Sequence, residues 1–216
     1  MNILIGNLKG GVGTTTHATN IAVKRASIGR SVFLIDTSTL LNADMWCTAR
    51  SEKHPGKAEI VGGPKFGTGV SGHIQQLARH YDDVVIDAGG SETEEFRLAL
   101  TQCQLLLVPF RSSQFDLWVV KRMATLLEEA QKINPLLKAR AFLNLVSTNP
   151  SSRDIDEARD LFASVHMQLP LLTSKIGDRI AFRRASAEGL GITEYKGKDN
   201  KALTEFEGFY AEAFPS

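Results

Sequence analysis

Cysteine is nearly absent. Cys47 and Cys103 are the only two in 216 residues, too few and too far apart for a disulfide framework or a CxxC metal site. Both are expected as reduced thiols of a cytosolic protein. Net charge is also missing: 25 Lys and Arg stand against 24 Asp and Glu. No global field therefore draws the chain onto nucleic acid, and any such binding must rest on a local patch. No apolar run approaches the roughly 18 residues of a membrane span, and the chain opens straight into a strand-like segment instead of a signal peptide. The composition, 43% hydrophobic and 23% charged, is that of a soluble globular protein. The expectation is a cytoplasmic, membrane-free protein folded as a single domain over residues 1–216.

Apolar runs alternate with helix-like stretches along the whole chain. Strands are predicted over 2–5, 31–36, 83–87, 104–109 and 139–145, with a weaker one over 165–169. Most are continuous apolar runs, the pattern of parallel strands covered on both faces. Helices are predicted over 15–27, 69–80, 91–101, 114–133, 153–164, 179–188 and 201–214. Gly29 follows the first as a stop, and Asn134-Pro135 ends the long one. Residues 51–68, rich in Gly, Pro and Lys, read as surface connection with at most a short edge strand at 58–61. Strand alternating with helix implies an α/β fold: a doubly wound, mostly parallel sheet with helices on both faces, of the P-loop type. Ligand sites in such sheets lie at the carboxyl ends of the strands.

The loop that follows the first strand, Asn7-Leu8-Lys9-Gly10-Gly11-Val12-Gly13-Thr14-Thr15-Thr16, lies at such an end. Phosphate loops follow G-x-x-x-x-G-K-[ST] between strand and helix. Glycines let main-chain N–H groups approach phosphate oxygens, and the helix N-terminus adds partial positive charge. Thr15 supplies the hydroxyl suited to Mg²⁺, but Thr14 stands where the lysine belongs, and Lys9 stands at the front of the loop. Asp36 and Asp87 close two later strands. Either alone could simply cap the next turn; together with the loop they suit a metal held directly or through water.

Lys9-Gly10-Gly11-Val12-Gly13 followed by Thr15-Thr16 resembles the deviant Walker A motif of the ParA/MinD partition ATPases. Val84-Val85-Ile86-Asp87-Ala88-Gly89-Gly90 is similar to their Walker B strand. Residues 107–116 and 179–194 are similar to later segments of the small plasmid-type members, so the resemblance spans nearly the whole chain. It implies ATP or ADP with Mg²⁺, cradled by Gly10, Gly11, Val12, Gly13, Thr14, Thr15 and Thr16. By the same resemblance Lys9 reaches across a nucleotide-sandwich homodimer, Thr15 and Asp87 hold the metal, and Asp36 is the first acid of an Asp-x-Asp-Pro-Gln motif with metal and catalytic roles. Asn144 falls where relatives contact adenine, and a turn-forming Asn fits equally. An ordinary solvated lysine is the other reading of Lys9.

Two departures stand out. Thr14 removes a charge-assisted phosphate contact of about 1.5–3 kcal/mol, roughly a ten- to hundredfold loss in affinity. Ser38 replaces the second Asp that positions the attacking water, a loss of about 10²–10⁴ in rate, and Thr39-Leu40 replaces Pro-Gln. Hydrolysis is expected to be slow or absent. Compensation by Lys9 within its own subunit, or by Asp44 near the water, stays open.

Residues 173–201 carry seven basic side chains against four acidic ones. Lys175, Arg179 and Arg183 would share a helical face, with Arg184 beside them, suited to salt-sensitive, sequence-independent phosphate contacts. A solvated helix face explains them equally; the resemblance favours non-specific binding of nucleoid DNA. The leading expectation is thus a ParA-like, nucleoid-associated positioning protein whose ATP-dependent dimer binds DNA and is engaged by a centromere-binding or adaptor protein. The alternative is a pseudo-ATPase scaffold. A third reading, a redox relative resembling nitrogenase iron protein, would need both cysteines at a shared cluster.

Overall fold

Seven apolar runs become seven strands: β1 (Asn2–Ile5), β2 (Val32–Asp36), β3 (Val61–Pro64), β4 (Asp83–Asp87), β5 (Leu105–Arg111), β6 (Lys138–Val146) and β7 (Leu171–Gly177). In this computed structural model, which describes residues 1–111, 117–147, 154–165, 169–197 and 199–215, they form one sheet in the order β3-β2-β4-β1-β5-β6-β7. Every neighbouring pair is parallel. The chain runs outward from β1 in both directions, so β1 and its neighbours β4 and β5 sit at the switch point where ligand crevices open.

Alternation along each strand divides the apolar residues between two cores. Ile3, Ile5, Leu34, Val85, Leu107 and Phe142 face α1 (Thr14–Ser27), α2 (Asn42–Lys53), α7 (Ile180–Ala187) and α8 (Asn200–Ala213). Leu4, Ile35, Ile86, Leu106 and Leu143 face α3 (Val70–Leu77), α4 (Glu94–Leu100), α5 (Leu117–Ile133) and α6 (Asp154–Val165). Phe96, Phe142, Phe206 and Phe209 are fully buried, each worth about 1.5–3 kcal/mol. At the amino ends of the strands Asp83 is wholly buried and takes Arg25 bidentately, at 2.7 and 3.0 Å, together with Arg30. Burial pushes the pKa of this carboxyl up, but the two guanidiniums outweigh it and hold it below its ordinary value.

Three elements differ from the sequence reading. Helix α2 was not expected; Leu41 occupies its N-cap position and offers no side-chain cap. Its cap comes from Asp36 at the end of β2, whose Oδ2 accepts from the N–H groups of Ala43 (2.8 Å) and Asp44 (3.2 Å). The edge strand lies at Val61–Pro64, later than 58–61, and Gly62 there abuts the Cys47 sulfur so closely that a side chain has no room. The last strand lies at Leu171–Gly177, beyond the stretch expected at 165–169, whose Val165 ends α6. As an edge, β7 is covered from α8: Glu212 accepts from the N–H groups of Thr173 and Ser174, and Glu205 from that of Gly177. The expected helix starts at Gln114 and Arg153 lie outside the described residues, as does Lys198 of the basic segment.

His17, in the first turns of α1, is 1% exposed among Phe142, Phe182 and Phe209, with both ring nitrogens unpartnered. Burial pulls its pKa from 6.5 to about 4, a shift the adjacent Asn144 offsets only in part. Between those values the unfolded chain binds a proton that the folded chain refuses. Its contribution is therefore complete above pH 6.5 and is lost as pH falls toward 4, by about 3 kcal/mol in all. Thermal melts across this range are expected to show that decline, and His17→Leu to flatten it.

Candidate functional site

Strand parity determines what lines the carboxyl edge. The residues that continue the α1-facing rows past the hydrophobic layer are Asp36 on β2, Asp87 on β4, Arg111 on β5 and Asn144 on β6. The loop between β1 and α1 crosses this same face. Gly11 (φ 73°) and Gly13 (φ 96°) take left-handed backbone that side chains disfavour. A Cβ at Gly10 or Gly11 would meet nothing within 4 Å, so open space lies over the loop. At Gly13 a Cβ would strike the Asn144 amide, whose Nδ2 donates to the Val12 carbonyl at 2.7 Å. Asn7 anchors the other side by donating to the Pro109 carbonyl at 2.7 Å. Helix α1 starts without a side-chain cap or an acidic residue in its first turn, which leaves its first N–H groups for an anion.

The Thr15 hydroxyl donates to Asp87 Oδ2 at 2.6 Å. Asp87 Oδ1 is buried and has no hydrogen-bond partner among the described residues. Burial drives this carboxyl up to about 7, with the Asp36 charge adding and the Thr15 and Thr14 hydroxyls opposing. A buried oxygen without a partner beside a threonine hydroxyl under a glycine loop fits a hard cation, and Thr15 with Asp87 would hold it. No group of three or more His, Cys, Asp or Glu among the described residues forms a metal cage; Mg²⁺ is commonly held by one or two carboxylates together with substrate phosphates.

Asp36 is 0% exposed, and three main-chain N–H groups already bind it: Ser38 on Oδ1 at 2.8 Å, Ala43 and Asp44 on Oδ2. The Ser38 hydroxyl accepts from the Leu40 N–H at 3.2 Å and serves the turn. Leu41 takes left-handed backbone, φ 54°, in the stretch where the sequence departs from the Asp-Pro-Gln pattern. The loop after β4 leans on the phosphate loop: a Cβ at Gly90 would overlap the Gly10 backbone, and one at Gly89 would meet Ser38 at 3.6 Å. The loops after β1, β2 and β4 are thus in mutual contact. Lys9 is half-buried, its N–H bound to Asn7 Oδ1 at 3.1 Å. From Thr15 and Thr16 a groove of about 490 Å³ runs past Met45 and Trp46 to Arg183; a cavity of about 540 Å³ between α2 and β3 lies apart from the loop.

The expected basic face does not assemble. Lys175 lies on β7, and Arg179 sits at the N-cap of α7. Arg179 pairs with Glu205 at 2.5 Å and the exposed Arg183 with Asp178 at 2.6 Å, so of the four only Lys175 and Arg184 are exposed with no acidic partner among the described residues. Cys47 and Cys103 are buried in opposite cores, Cys47 pushed up to about 12 and Cys103 raised further by burial. Neither is placed to ligate a cluster shared between subunits. Sequence reasoning also passed over Arg50, which forks onto Glu194 at 2.7 and 2.9 Å and onto the carbonyls of Ala58 and Gly189. An Arg and a Glu 144 residues apart carry no local signal.

The family model described as the CobQ/CobB/MinD/ParA nucleotide binding domain matches residues 3–192. The chain is 27% identical over 216 residues, 99% of its length and 96% of the relative's, to maintenance of carboxysome distribution protein A of Halothiobacillus neapolitanus. Among solved structures, apo McdA of Cyanothece superposes with a TM-score of 0.77 at 17% identity, covering 98% of both chains. MinD of Pyrococcus horikoshii with Mg-ADP superposes with 0.70 at 17% identity, covering 96% of this chain and 93% of that one.

The Gly10–Gly90 contact is open to test. Gly90→Ala must push the phosphate loop aside, at a cost of about 1–3 kcal/mol, and is expected to weaken Mg·ADP binding by about tenfold or more. Gly72→Ala, on α3 with nothing within 4 Å of the added carbon, is expected to leave binding unchanged in the same titration.

Proposed function

The chain belongs to the CobQ/CobB/MinD/ParA family of nucleotide-binding domains, and on that footing we propose that it is a ParA-type, nucleotide-responsive positioning protein with slow or no hydrolysis. The observation that carries this reading is the unpartnered Asp87 oxygen beside the Thr15 hydroxyl, beneath a glycine loop with open space above it. ATP or ADP would lie in the cradle of residues 10–16, with Asn144 bracing the loop. Mg²⁺, when bound, neutralises phosphate charge there. Lys9 would serve the partner's nucleotide across a homodimer.

Exposed apolar side chains at the carboxyl edge support a partner on that face: Leu40 (70% exposed), Met45, Phe66 and Ile180. Single exposed apolar residues are ordinary; Met45, which lines the groove with Thr15 and Thr16, and Leu40 after β2 are the ones beside the loop and suit burial against a second copy. Non-specific DNA binding would rest on Lys175 and Arg184, a smaller footprint than the sequence suggested, and would make the protein nucleoid-associated. Its cargo would be engaged through a centromere-binding or adaptor protein. One relative is named for the distribution of carboxysomes, so a carboxysome is as natural a proposal for the cargo as a plasmid. Among the described residues no helix is long and apolar enough to cross a membrane.

The second reading, a pseudo-ATPase scaffold, is favoured by Thr14 and by Asp36, whose oxygens are engaged by main chain where a catalytic carboxylate would need them for water. Titration with Mg·ATP separates the two. Binding by the unaltered protein, tightened roughly ten- to hundredfold in Thr14→Lys, is expected for the switch. Binding only in Thr14→Lys would leave the scaffold reading. For DNA, Lys175→Gln with Arg184→Gln is expected to lower duplex affinity for all sequences alike and to reduce the slope of log K against log salt by about two.

A further inference from the structure

Replacing the loop lysine by Thr14 leaves the phosphate cradle one positive charge short. A cation to which the resemblance of residues 107–116 gave no role ends the neighbouring strand: Arg111, the last residue of β5. Along β5, Leu105 and Leu107 face the α1 side, and Leu106, Val108 and Phe110 face the other. Parity therefore sends Arg111 to the α1 side, the side crossed by the phosphate loop. Its register partner on β6 is Asn144, whose amide holds Val12 of that loop. Two residues back along its own strand, the Pro109 carbonyl holds Asn7 at the front of the loop.

The guanidinium Nε of Arg111 is buried without a hydrogen-bond partner, and no ion pair holds the side chain among the described residues. Arg25, Arg50 and Arg179, likewise screened from water, each hold a carboxylate. A guanidinium stays charged at any working pH and is unfavourable in a screened position until an anion completes it. An unsatisfied buried donor of this kind calls for a missing ion or ligand, and the anion-binding element beside it is the glycine loop.

We propose that Arg111 is the phosphate-binding cation of this site, taking over within the same subunit the charge role that Thr14 leaves unfilled. The ligand is the polyphosphate of a nucleoside di- or triphosphate, and the planar fork suits two of its oxygens at once. The proposal rests on the nucleotide-binding reading above. Arg183, which lines the groove with Thr15 and Thr16, is already matched by Asp178.

A double-mutant cycle tests it. Mg·ATP and Mg·ADP are titrated into the unaltered protein, Arg111→Met, Thr14→Lys and the combined variant, with melting curves to verify folding. Arg111→Met is expected to weaken binding about ten- to a hundredfold, and by less than about threefold when Thr14→Lys is present. Arg111→Lys is expected to keep most of the affinity, and serves as the folded comparison if Arg111→Met melts early. Equal affinity of the unaltered protein and Arg111→Met overturns the proposal. So do equal losses in both backgrounds, which would mark a structural role. Binding by Thr14→Lys alone also overturns it, since Arg111 would then supply no effective charge. Failure of both the unaltered protein and Thr14→Lys to bind overturns the nucleotide reading itself, and this inference with it.

Discussion

A parallel sheet covered on both faces has one place for polar side chains, the ends of its strands. That constraint organises this molecule. The strands β1, β2, β4 and β5 are apolar on both sides, and the first residues past the buried layer are the ones with chemistry. Because β2, β4, β5 and β6 are in parallel register, their terminal residues on the α1 side arrive as a row. Two carboxylates lie toward β2 and β4, and a guanidinium with an amide lies toward β5 and β6. The phosphate loop of β1 rises between the acidic pair and the basic side, at the sheet's switch point.

The loops above that row are held by contacts too close for side chains. Gly90 lies on the Gly10 backbone, Gly89 faces Ser38, and Gly189 turns against the backbone of Arg50. Arg50 carries the linkage further, fastening α2 to the segment after α7 through Glu194, while Asn20 of α1 accepts from the Ile192 N–H at 2.6 Å. Both helices that begin at the phosphate side are thus fixed to the segment that follows α7. A shift in either loop therefore reaches that surface through main-chain contacts and buried ion pairs, which transmit strain with little compliance.

How much of this could be read from the chain follows from where each signal resides. Local signals were legible: the apolar runs that make the parallel sheet, and the glycine spacing between β1 and α1. Elements whose stability comes from a distance were not. Helix α2 is capped by a carboxylate from β2, and β7 has its free N–H groups covered by glutamates of α8. The Lys175 misplacement has the same origin, since the segment that carries it is a strand held by that helix. Arg111 lies in the 107–116 stretch, but the resemblance there gave it no role; sheet parity and an unpartnered nitrogen bring it into view.

Asp36 carries a consequence for the chain's chemistry. An ionised carboxylate offers about four acceptor positions, and three are filled by the N–H groups of Ser38, Ala43 and Asp44. One remains. A ligand that needs more than that single lone pair must detach the first turn of α2, so the same anion that begins a helix would have to let it fray. Occupancy and helix length become rival claims on one pair of oxygens, and the amide protons of residues 43 and 44 are where that rivalry would register.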